Sequence, residues 1–433
     1  MITLAGRIRR NLPHLGFVFR KSNQADAPDA VLHDIALSAS SQMSSSSEHL
    51  SLALDIDCPE PLGDHDLCRA YEEEGRAFAR QEDWAGLATR MADLDRDRIQ
   101  TPSGKSAVAL LALGARSDTV AAVYEALARN IRLSGAVMTQ GTHGLSVVLK
   151  AFPQNPYAIA LVAATHDDIA QALRVAVEYE FGQADLETAA STHADKAVEL
   201  VSRLNPAQLD APFIAALCFN ILAERAKGAE DILALHETWH DLDPRDPDCL
   251  RALGRQMDPV RFDVTFLDRA ARQIAGQTCD VWGAGGYVWV MMDAVVLWPE
   301  AAEVLDSRLF KDGISDIMRL TSDQYHANTL LAYCTTRIER RKTGSETADL
   351  ILFDLAQSAR QIARKHLTEV HPLVWAEALN EFDPTTIRLQ PDRASAAGYA
   401  EALLVLSALF RNDLRNGKPV LFSRPTFDHP ALA

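Results

Sequence analysis

Positive charge is the first thing this chain is short of. Its 43 Lys and Arg stand against 59 Asp and Glu, a formal net charge of −16, and such a surface repels the phosphates that nucleic-acid-binding proteins neutralise with clustered cations. No nucleic-acid partner is expected. Cysteine is sparse too. Cys58, Cys68, Cys218, Cys249, Cys279 and Cys334 lie far apart, with no CxxC pair and no zinc-ribbon spacing, which excludes a disulfide framework and reads as reduced thiols in a cytoplasmic protein. Long apolar runs are missing as well. The longest, Tyr287 to Trp298, contains Asp293 and is about a dozen residues, against the roughly 20 that a membrane-spanning helix needs. No transmembrane segment is expected. A Gly-x-Ser-x-Gly nucleophile elbow is absent. Gly283, Gly285 and Gly286 cluster in WGAGG, but without the lysine or the strand-to-helix setting of a phosphate loop.

Runs of β-branched residues bounded by turn signals are scarce, and aromatics make up only 7% of the chain. What remains is helical grammar. From Asp66 onward the apolar residues recur at three and four positions, the period of an amphipathic helix. Leu67, Tyr71, Glu74, Gly75 and Phe78 fall on one helix, and Trp84, Leu87, Met91 and Leu94 on the next, with Asp83 as its N-cap. In LDPRDPDCLRALG, residues 242 to 254, Pro244 cannot continue a helix, Asp246 caps a new one and Pro247 is pre-shaped for its first turn. Pro153 and Pro156 bracket a similar turn, and Pro212 opens a third start.

These hairpins resemble the tetratricopeptide repeat (TPR), in which a small residue sits where the paired helix crosses closely and an aromatic follows three positions later. Gly75 and Phe78 fill those places, and Leu250, Leu253 and Gly254 open the repeat after Pro247. Pro212 and Pro247 are 35 residues apart, Pro156 and Pro212 are 56 apart, and no register holds beyond Met257. The resemblance covers about a third of the chain. It implies an all-α fold, an irregular α-solenoid of antiparallel helical hairpins, whose concave face binds a partner peptide or protein.

The chain divides into a basic arm and Ser-rich segment (1–60), TPR-like hairpins (61–260), a C-terminal helical region continuing the array (261–415) and an extended tail (416–433). Residues 1–21 carry five basic residues and no acidic ones. Arg7, Arg9 and Arg10 interrupt any signal-peptide core, leaving a disordered tail or an arm resting on an anionic membrane surface. The stretch from Ser38 to Ser51 has too little apolar content for a core, and Met43 is an alternative start. The folded body is expected to begin near Asp66, so that removing residues 1–60 leaves thermal stability unchanged. In the ERRKTGSET break, Arg340, Arg341 and Lys342 sit where cations favour a helix C-terminus and Gly344 ends it.

Three stretches hold chemistry-bearing residues. HETWH resembles the zincin signature HExxH, which implies His236 and His240 as zinc ligands and Glu237 as a general base. Thr238 stands where such sites carry a bulky apolar residue, and none of Asp263, Asp268, Glu300 or Glu303 has a spacing that marks it as a third ligand. The plainer reading is a buried histidine bonded to a backbone acceptor. THDDIA pairs His166 with Asp167, with His143 upstream, as in helical metal-dependent phosphohydrolases, although His-Asp recurs elsewhere in this chain. Finally, Trp282, Tyr287, Trp289 and Trp298 make the most aromatic segment, with Asp293 inside its otherwise apolar run. They either line a binding groove or fill the core, with Asp293 then turned to solvent. The favoured reading is a non-enzymatic interaction or scaffold protein without cofactor, whose partner is basic because an acidic surface attracts its opposite. The alternative is a zinc-dependent hydrolase.

Overall fold

The computed structural model describes residues 54–59, 62–128, 144, 146–178, 184–339, 343–380 and 391–422. The basic arm, the Ser-rich stretch, Met43, His143, Arg340, Arg341, Lys342 and the tail beyond residue 422 lie outside them. The described chain is all-α apart from two short strands. After β1 (Leu54–Asp55) come α1 (Gly63–Arg80), α2 (Trp84–Arg96), α3 (Ala107–Ala128), α4 (Pro156–Glu178) and α5 (Ala184–Val201). There follow α6 (Pro206–Leu209), α7 (Pro212–Ala223), α8 (Ala229–Leu242), α9 (Pro247–Gln256), α10 (Val264–Gln277), α11 (Cys279–Trp282) and α12 (Gly285–Leu297). The last third holds α13 (Pro299–Val304), α14 (Ser307–Thr321), α15 (Gln324–Ala332), a π-helical turn (Tyr333–Ile338), α16 (Glu346–Ala356), α17 (Ser358–Lys365), α18 (Pro372–Asn380), α19 (Pro391–Leu409), α20 (Arg411–Arg415) and β2 (Val420–Leu421).

Local chemistry sets most of these boundaries. The Asp83 carboxylate accepts from the Gly86 amide at 2.9 Å, and the Asp246 carboxylate from the Asp248 amide at 2.9 Å, each satisfying a donor that the first helical turn leaves unpaired. Pro156, Pro212 and Pro247 each open a helix. Gly75 marks a close crossing, but its partner is α3 rather than the second helix of its own hairpin. α1 and α3 run parallel, Asp64 meeting Ser103 at one end and Arg80 meeting Asp118 at the other. A Cβ on Gly75 would stand 1.9 Å from the Leu111 carbonyl oxygen, and one on Gly114 would stand 1.8 Å from that of Glu72. Two glycines, one from each helix, therefore bring the backbones together.

α7 is apolar on nearly every side, Asn220 being its one exposed residue, because both its faces are buried. Ile214, Cys218 and Ile221 join a core built from α2, α3, α4 and α5, while Ala215, Phe219 and Ala223 join a second core that runs on to Phe422. The core thus changes over at α7, within the stretch read as TPR-like hairpins, and Gly254 of α9 packs directly on Val290 of α12. By length and composition α3 is apolar enough over Ala107–Leu127 to cross a membrane, although charged and polar residues interrupt its apolar run. Here it packs between α1 and α4.

The largest departure from expectation lies before Asp66. Leu54 is only 2% exposed and belongs to the second core. β1 pairs in parallel with β2, the Phe422 amide donating to the Asp55 carbonyl at 3.1 Å, and the Val370 amide donates to the Asp57 carbonyl at 2.8 Å. Residues 54–59 are therefore part of the folded body. Burying one leucine side chain stabilises by about 1.5–3 kcal/mol, so a chain starting at residue 61 is expected to melt several degrees below one starting at residue 54. Equal melting temperatures for the two truncations would contradict this docking.

Candidate functional site

The α8 helix turns His236 and His240 inward and Glu237 outward. His236 is 1% exposed, its ring lies edge-on to Phe219 at 6.1 Å, and the two imidazoles are nearly parallel with centroids 6.0 Å apart. Burial, and next the neighbouring His240, push the His236 pKa down to about 3, with the Cys249 backbone acting the other way. The Nε2 atoms of His236 and His240 are both buried without a hydrogen-bond partner among the described residues. Among the described residues no group of three His, Cys, Asp or Glu could hold a metal ion, and Glu237 is exposed. The donors present do not fit the zinc hydrolase site that the spacing implied.

The aromatic segment does not line an open groove. Trp282, Tyr287 and Trp289 are buried, and Asp293 is 0% exposed. Rather than facing solvent, Asp293 accepts two hydrogen bonds from Arg251 at 3.0 Å each, one from Arg255 at 2.7 Å and one from the Tyr333 hydroxyl at 2.7 Å. Burial raises its pKa, but the two guanidiniums outweigh that and hold it below the usual carboxylate value. Tyr333 opens the π-helical turn.

THDDIA splits between two neighbourhoods. The His166 Nδ1 lies 2.8 Å from the His193 Nδ1 of α5, and burial, then His193 and Lys196, push the His166 pKa down to about 4. Asp168 pairs with Arg116, while Glu224 takes Arg174 at 2.8 Å and Gln171 at 3.0 Å. Asp167 is pushed up to about 8 by burial, then by Glu224 and Asp168. A carboxyl so raised contributes stability that is full below its unfolded pKa of about 3.9 and is lost as pH climbs through its folded value. Asp167→Asn is therefore expected to melt with the native chain at pH 4 and several degrees above it at pH 9. Thermal melts across that range check the sign, and a variant less stable at pH 9 would reverse it.

A fourth cluster was not legible in the sequence. It forms where the first helices meet the last. The Lys105 ammonium, in the loop before α3, pairs with Glu377 of α18 at 2.8 Å, and Arg98 reaches Asp210 at 2.5 Å and the Leu242 carbonyl at 3.4 Å. Between these ties runs an acidic seam. Tyr325 stacks on His371, centroids 3.9 Å apart and planes within 16°, and the fields of Asp64, Asp323 and Glu369 all act on both rings. His326, one residue on, packs on Trp282 and Trp289 at 5.6 and 5.3 Å and is acted on by Asp323 and Asp248. Asp248 and Asp243 in turn help raise the pKa of Asp246, after burial.

Carboxyl groups thus follow one another from Asp243 to Asp64, with burial raising the pKa of Asp243 and Asp246. Asp64, Asp243, Asp246 and Asp323 are half-buried, and their hydrogen bonds come mostly from nearby backbone amides. Among the described residues none of these four is in an ion pair with Lys or Arg. Burial depresses the pKa of both His326 and His371 in spite of their acidic neighbours, and Lys105 acts on Asp64, and Arg98 and Arg245 on Asp243, without forming a close ion pair. Burial also raises the Cys68 thiol to about 11, which makes it a poor nucleophile. The seam offers negative charge and aromatic faces, without an activated nucleophile. Compared with family models, with curated proteins and with solved structures, the chain matches none.

Proposed function

We propose that this is a non-enzymatic interaction protein, an irregular α-solenoid of TPR-like antiparallel hairpins, whose acidic seam receives a basic segment of a partner protein. The observation that carries this reading is the run of half-buried carboxyl groups from Asp243 to Asp64, none in a close ion pair with lysine or arginine among the described residues, beside the Tyr325–His371 stack. A guanidinium suits such a place because it forks onto a carboxylate while its flat face lies on an aromatic ring. Trp282 and Trp289 support the seam from beneath, through His326.

The test is fluorescence anisotropy with arginine-rich and lysine-rich peptides against the native chain and an Asp64→Asn/Asp323→Asn/Glu369→Gln variant. Native binding should weaken as salt rises, because exposed charges are screened over about 10 Å at 0.1 M. The variant should bind at least tenfold more weakly, with a flatter salt dependence. Equal affinity for the two proteins would place any basic partner elsewhere.

A further inference from the structure

The contact between α4 and α5 holds a pair of histidines that the acidic seam does not use. His166 and His193 point their Nδ1 atoms at one another across 2.8 Å, with ring centroids 4.9 Å apart and planes tilted by 40°. His193 is buried and His166 half-buried. Two ring nitrogens brought this close hold either one shared proton or one cation.

We propose that His166 and His193 form a two-imidazole site for a divalent transition-metal ion. Neutral imidazole is the commonest protein ligand for such ions, and the spacing of the nitrogens selects among them. Two nitrogens each about 2.0–2.1 Å from an ion stand about 2.9 Å apart at a right angle and about 3.3 Å apart at a tetrahedral angle. The 2.8 Å separation matches the right angle, which favours the tetragonal geometries of Cu2+ and Ni2+ over tetrahedral zinc.

No third His, Cys, Asp or Glu completes a closed cage among the described residues, and solvent reaches the pair at the half-buried His166. Glu199 brings negative charge to bear on His166 against the larger opposing effect of the Lys196 ammonium, which pairs with Glu199 at 2.7 and 2.8 Å. Water and Glu199 would fill the remaining positions. Protons balance without a co-reactant. In the empty pair one Nδ1 carries a hydrogen and the other accepts it. On binding, that hydrogen moves to Nε2 of its own ring, so both imidazoles stay neutral and present Nδ1 lone pairs to the ion.

The experiment uses the full chain, stripped of metal by dialysis against chelator, and titrates Cu2+, Ni2+ and Zn2+ separately by calorimetry and by thermal melting. His166→Gln and His193→Gln keep side-chain size and hydrogen-bonding capacity, and His236→Ala serves as a control on another helix. The expected result is one equivalent of Cu2+ or Ni2+ that raises the native melting temperature by a few degrees. That equivalent should bind at least tenfold more weakly in each Gln variant and remain in His236→Ala. Nickel should bind more tightly than zinc. Binding unchanged in either Gln variant, or no metal-dependent rise in the native melting temperature, would overturn the site and leave a hydrogen bond only. Zinc binding tighter than nickel would overturn the right-angled geometry.

Discussion

Gly114→Val is expected to leave little folded protein. A Cβ at this position would stand 1.8 Å from the Glu72 carbonyl oxygen and 2.7 Å from the Glu72 Cα, and neither atom belongs to a side chain that can swing away. α1 and α3 would have to separate along their whole crossing. Their parting would also unseat Gly75 from Leu111 and the Leu111 side chain from its core. Overpacking of a core commonly costs about 1–3 kcal/mol, and a clash with helix backbone belongs at or beyond the upper end of that range. Against a total stability of about 5–15 kcal/mol, the variant should be largely insoluble or melt more than ten degrees early. Gly276→Ala is the matched control. It lies on the exposed side of α10 with no atom within 4 Å of a built Cβ, so it should gain up to about 1 kcal/mol in helix propensity. Circular dichroism melts of the two variants decide the matter, and a near-native Gly114→Val would mean that the close crossing is misplaced.

Asp293→Ala should be the most damaging single polar change. It leaves the Arg251 and Arg255 side chains, only 14% and 20% exposed, without the carboxylate between them, and it removes the acceptor of the Tyr333 hydroxyl. Breaking a buried pair by removing one partner typically costs about 3–5 kcal/mol, whereas replacing the whole set by apolar residues is often neutral. Asp293→Ala combined with Arg251→Met and Arg255→Met should therefore recover part of the lost stability. Urea denaturation gives both numbers, and a triple variant as unstable as the sum of its parts would show that the charges are not coupled.

The features read correctly from sequence are those decided within a few residues. Asp83, Asp246, Pro212 and Pro247 act on the turn in which they sit, so the helix starts followed directly, and so did the all-α class. Features set by which helices meet were not legible. Asp293 meets Arg251 across 42 residues, and Asp64 faces His371 from the far end of the chain, with no spacing in either segment to link them. The aromatic segment stands out in the sequence, but the reach of Arg251 and Arg255 from α9 to Asp293 of α12 has no local signature. HETWH shows the opposite failure. Its i, i+4 spacing does put both histidines on one face, and that face is turned to Phe219 and the core. For β1 a signal was present and too short to weigh. Leu52, Leu54 and Ile56 alternate with Ala53, Asp55 and Asp57, the period of a strand, within a stretch otherwise read as disordered.

Hydrogen–deuterium exchange of the full chain, with and without the tightest-binding basic peptide, tests the acidic seam most directly. The backbone amides around residues 62–68, 323–326 and 368–371 are remote in sequence and adjacent only in this fold. Bound peptide should slow exchange in all three segments together, and the protection should fade as salt is raised. Protection confined to one of them, or lying on a different surface while these three stay unchanged, would contradict the account.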